Sequence, residues 1–76
     1  MRSRHKLIRD SLDKIFLIIQ NFPTMEYEEL FNTGINCMEE IEELYFVADT
    51  EYYKNKVAEM RDFLLSEFLK FEGLKR

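Results

Sequence analysis

Seventy-six residues with 46% apolar content and a net charge of −4 describe one domain, too apolar for a disordered tail and small enough to bury only ~60% of the surface its unfolded chain exposes. Fifteen acids against eleven bases argue against nucleic acid as the partner, and a single cysteine, Cys37, excludes an intramolecular disulfide framework and favours a reducing compartment. The basic start MRSRHKLIRD is followed by only five apolar residues, Ile15 to Ile19, with no small-residue cleavage site; no run approaches the ~20 apolar residues of a membrane span. These features predict a soluble cytoplasmic protein with no membrane partner.

The first predicted helix covers residues 4–22. Ile8, Leu12, Ile15, Ile19 and Phe22 step by four and three, which sets them on one helical stripe. Pro23 ends it, because the residue before a proline is pushed out of the α region. Thr24 is the expected cap of a second helix over 25–48, with Glu26, Glu28 and Glu29 in its first turns, where the helix dipole favours negative charge.

The expected core stripe of the second helix is Tyr27, Phe31, Gly34, Met38, Ile41, Tyr45 and Ala48. Gly34 leaves two possibilities. It is a small residue where another helix comes close, or it ends a short helix, with Asn36 and Glu39 boxing the start of the next. The stripe keeps its phase through the glycine, which favours a continuous helix. Asp49 and Thr50 offer a cap for a third helix over 50–72, striped by Tyr53, Val57, Met60, Leu64, Phe68 and Phe71. Gly73 is the expected C-terminal stop, with Leu74 folding back onto the last turn. Period-two alternation of useful length is absent, so the predicted fold is all-α: a small antiparallel three-helix bundle.

Charge is distributed unevenly along this plan. Residues 1–14 carry a net +3, residues 15–53 contain nine acids and no Lys or Arg, and residues 54–76 carry a net +2. The second helix is thus an acidic rod between two mildly basic ones. Apolar residues also fall off the core stripes: Leu17, Ile35, Phe46, Ala58, Leu65 and Leu69. A bundle of this size has one core, so helices that are apolar on two sides imply a second burial surface and predict a homo-oligomer.

The stretch CMEEIEELYFVAD holds Glu39, Glu40, Glu42 and Glu43. On a helical wheel centred on Ile41 all four point away from the expected stripe. They form a solvated outer face, or a docking surface for a basic protein partner, whose approach clustered charge accelerates. A third alternative comes from spacing. Glu40-x-x-Glu43, followed by Glu59-x-x-Asp62, resembles the E-x-x-E … E-x-x-D pattern of all-α, MazG-like nucleoside triphosphate pyrophosphohydrolases. The resemblance covers EEIEEL and EMRDFLL, about a sixth of the chain. It implies that these four acids hold Mg²⁺, a cation suited to hard oxygen ligands with positions left open for phosphate.

Other residues carry less. His5 stands alone in a basic N-terminus without a second His or a Cys/His zinc spacing, and Ser3, Ser11 and Ser66 have no partners suggesting a nucleophile. RSRHKLIR could touch phosphates, but termini of this kind more often solubilise or pair with acids. The sequence therefore favours a non-enzymatic protein–protein interaction module, an adaptor, inhibitor or regulator without a cofactor. Its expected contact residues are Leu17, Ile35, Phe46, Leu65 and Leu69, flanked by Glu39, Glu40, Glu42 and Glu43.

Overall fold

The computed structural model describes residues 2–75, the side chains of Arg2 and Ser3 excepted. Three helices pack against one another: α1 (Arg2–Gln20), α2 (Tyr27–Val47) and α3 (Glu51–Lys75). There is no strand among the described residues, and no helix is long and apolar enough to cross a membrane.

Helix α1 buries Ile8, Ile15 and Ile19, with Leu12 half-buried beside them. It stops two residues earlier than its apolar pattern, because the chain needs a separate turn around Pro23. A single turn of 3-10 helix, Phe22–Thr24, follows, and it sinks Phe22 completely into the core. Asn21 closes the end of α1 twice: its backbone N–H donates to the Ile18 carbonyl and its Nδ2 to the Leu17 carbonyl. Thr24 does not cap α2 as expected. Its Oγ1 donates backwards to the Asn21 carbonyl at 2.9 Å, and the N-cap position is Glu26, which makes no side-chain cap.

Helix α2 runs unbroken through Gly34, so no capping box forms at Asn36 and Glu39. Its core face differs from the expected stripe. Leu30, Gly34, Cys37, Ile41, Leu44 and Ala48 are buried, whereas Tyr27, Phe31 and Tyr45 are more than a third exposed. The helix is turned so that its aliphatic side faces inward and its aromatic side lies towards the open edge. Gly34 is where α3 comes closest: a Cβ there would stand 2.6 Å from Cδ1 of Phe68. The glycine serves contact between helices, not chain reversal, and no glycine among the described residues has a positive φ.

Helix α3 starts as its sequence predicts, with Thr50 Oγ1 accepting from the Tyr53 N–H at 3.2 Å. Its stripe of Tyr53, Val57, Met60, Leu64, Phe68 and Phe71 is buried or half-buried throughout. The expected stop at Gly73 does not occur. The helix continues to Lys75, Gly73 is solvent-facing, and Leu74 is 74% exposed instead of folding back. Lys75 holds this last turn in place by donating to the Pro23 carbonyl at 2.9 Å.

Side-chain contacts tie α3 to both of the other helices. Phe16 of α1 stacks on Phe63 of α3, and His5 stacks on Tyr53. Between α2 and α3, Phe31 meets Phe68 and Tyr45 meets Lys54. The result is a rod of 42 × 17 × 16 Å.

Candidate functional site

Two shallow concavities lie along the seam between α2 and α3. The first is lined by Phe31, Ile35 and Met38 from α2 and by Leu64, Leu65 and Phe68 from α3, almost entirely with carbon. The second lies nearer the α2–α3 link, where Tyr45 and Phe46 face Lys54, Ala58 and Arg61, with Glu42 on the α2 side. Phe46 is 94% exposed, an unusual position for a side chain whose burial contributes about 1.5–3 kcal/mol. Four of the five apolar residues expected to make contacts, Ile35, Phe46, Leu65 and Leu69, thus lie on α2 and α3, and all are exposed. The fifth, Leu17, is equally exposed but sits on α1, which lines neither concavity.

The four glutamates do not form one face. Because α2 is turned relative to the expected stripe, Glu40 lies at the edge of the core and meets α1, its Oε2 3.4 Å from Lys14 Nζ. That pair is partly exposed and contributes roughly 0.2–1 kcal/mol. Glu39, Glu40 and Glu43 line a cleft against Leu7, Ser11 and Lys14 of α1, while Glu42 points to the other side, over the α2–α3 seam. Glu39, Glu42 and Glu43 have no ion-pair partner among the described residues.

Glu59 and Asp62, the second half of the pyrophosphohydrolase-like spacing, lie exposed on α3 next to Lys56 at 4.0 Å and Arg61 at 3.7 Å. Among the described residues, no three acidic, histidine or cysteine side chains stand close enough together to hold a metal ion.

One polar cluster was almost invisible to sequence reading. His5 is not isolated. Its Nε2 lies 3.0 Å from Asp49 Oδ1, its ring is 4.4 Å from that of Tyr53, and Arg4 reaches the other Asp49 oxygen at 3.5 Å. The hydrogen bond with His5, helped by the charge of Arg4, holds the Asp49 carboxyl below its ordinary range. This cluster ties the first turns of α1 to the start of α3. Only the presence of Asp49 in a short interhelical link hinted at it, and the partners are 44 residues apart.

Cys37 is buried in α2. Desolvation, with Glu40 nearby, pushes its thiol above the ordinary value, as expected of a packing residue and not of a nucleophile. Compared with protein-family models, curated proteins and solved structures, the chain matches none.

Proposed function

We propose that this chain is an antiparallel three-helix interaction module that works by association, as an adaptor, inhibitor or regulator in the cytoplasm. Its main contact surface is the α2–α3 seam, with the acidic side of α2 available to a basic protein partner. The observation that carries this is the set of exposed apolar residues along the two concavities of that seam, Phe31, Ile35 and Leu65 in one and Tyr45 and Phe46 in the other, with Phe46 almost fully in water; Leu69, also exposed, lies one turn beyond Leu65 on α3. Scattered exposed apolar residues are ordinary, but two apolar concavities on one seam, bordered by charge, have the composition of an interface. Glu39 and Glu43, exposed and without an ion-pair partner among the described residues, support the acidic part, since such charges attract a basic surface from a distance.

Sedimentation velocity at micromolar concentration tests the association. Self-association is expected, and Ile35→Asp with Leu65→Asp should abolish it while leaving the helical circular dichroism intact. A clean monomer with no copurifying protein would count against the proposal. For the acidic side, replacing Glu39 and Glu43 by Gln should slow association with a basic partner without altering the fold. Association of the unsubstituted chain should itself slow with added salt.

A further inference from the structure

We infer that the occupant of the α2–α3 seam is a second copy of this chain, related by a two-fold axis running along the helices, so that Glu42 of each copy stands over the Lys54–Arg61 edge of the other. This rests on the self-association proposed above and specifies its geometry.

The seam has an apolar floor between two unlike rims. On the α2 side stands Glu42, without an ion-pair partner among the described residues. On the α3 side stand Lys54, over the Tyr45 ring at 5.5 Å, and Arg61, near Asp62 at 3.7 Å. A face with one acidic and one basic rim is complementary to itself under only one kind of two-fold rotation. An axis along the helices exchanges left and right and keeps the ends in place, so acid falls on base and the Phe46 ends meet. An axis across the helices lays α2 on α2 and sets Glu42 among the partner's acids, which like-charge repulsion disfavours. The favoured arrangement also places each α2 against the partner's α3 in opposite chain direction, as neighbours lie in a four-helix bundle.

The whole molecule is 42 Å long and 17 Å wide, so the outline of any one of its sides is at most on the order of 700 Å². A stable interface buries ~800 Å² per partner. The whole length of the face is therefore needed, which a short peptide would not cover and a second copy covers by construction.

The test uses two full-length variants, Glu42→Lys and the double variant Lys54→Glu/Arg61→Glu, analysed alone and mixed by sedimentation equilibrium and native mass spectrometry. Each variant alone faces like charges at both symmetry-related contacts and should associate about tenfold or more weakly than the unsubstituted chain. The equimolar mixture restores both contacts and should recover heterodimers at near the original affinity. Charges rearranged within one chain are not repaired by mixing, so recovery reports on contact between chains. If both variants keep their helical signal and the mixture does not recover, the inferred geometry is wrong. If Ile35→Asp disperses the dimer while Glu42→Lys leaves it unchanged, the face stands and the geometry is overturned. If the unsubstituted chain stays monomeric at high micromolar concentration, the self-association proposal falls, and this inference with it; the seam would then belong to a different protein.

Discussion

Replacing Gly34 by alanine sets two opposing effects against each other at one atom. Helix propensity favours alanine over glycine by about 0.8–1 kcal/mol in a helix interior. Against this, the new methyl would lie 2.6 and 2.7 Å from Cδ1 and Cε1 of Phe68, where ordinary contact begins near 3.4 Å. The ring must retreat by several tenths of an ångström, yet Phe31 stands against it with ring centroids 6.1 Å apart. Overpacking of this kind costs about 1–3 kcal/mol, so the expected net effect is a loss of roughly 1 kcal/mol, or about 4–8 °C in Tm for a domain of this size. The decisive comparison is a double-mutant cycle with Phe68→Ala. Without the ring, Gly34→Ala should change sign and stabilise by up to about 1 kcal/mol, giving a coupling of about 1–3 kcal/mol. Urea unfolding followed by far-ultraviolet circular dichroism, at one fixed protein concentration, measures all four chains. A Gly34→Ala chain as stable as its parent while Phe68 is present would refute the claim that close approach requires the glycine.

Three further outcomes are expected. Gly73→Ala should raise Tm slightly, by at most the equivalent of about 1 kcal/mol, because the position is helical and open; a fall in Tm on thermal melting would contradict helix at that position. Thr50→Ala should cost about 1 kcal/mol of unfolding free energy, read as a lower urea midpoint, through loss of the bond from the Tyr53 N–H, whereas Thr24→Ala should not impair capping of α2. Asp49→Asn should flatten the acid limb of the stability profile: a carboxyl lowered on folding contributes stability above its unfolded value near ~3.9, and this is lost as pH falls through the lowered folded value. Melting curves from pH 2 to pH 6 should show the difference, and identical limbs for the two chains would remove Asp49 from the account.

How far the structure was legible differs from helix to helix. In α1 and α3 the apolar residues form one dominant stripe, and that stripe is the core. In α2 two stripes share Gly34, Ile41 and Ala48. One adds Tyr27, Phe31 and Tyr45, the other Leu30, Cys37 and Leu44, and the core takes the second. The choice is made by where α1 and α3 lie on either side, which no periodicity within one helix contains. The same rotation moved Glu40 from the supposed outer face to Lys14. Ile35, Phe46, Leu65 and Leu69 were recognisable as surplus because they miss either stripe, but that Ile35, Phe46 and Leu65 line one seam needed the packing of α2 on α3. His5 could not be read, since its partners lie across the bundle, and Gly73 misled because a glycine near a chain end usually marks a helix stop.

The burial of Cys37 makes the molecule its own reporter of opening. It is the single thiol of the chain and is buried at the middle of α2. Only the thiolate reacts, and both desolvation and the neighbouring Glu40 oppose its formation in the closed bundle. Alkylation must therefore wait until the helices part at that level, and under conditions where reclosing outpaces reaction its rate measures the population of opened chains. Any partner seated on the far seam that binds only the folded bundle would slow that reaction from a distance. Occupancy of the α2–α3 face could thus be followed by the labelling of a sulfur that no partner touches.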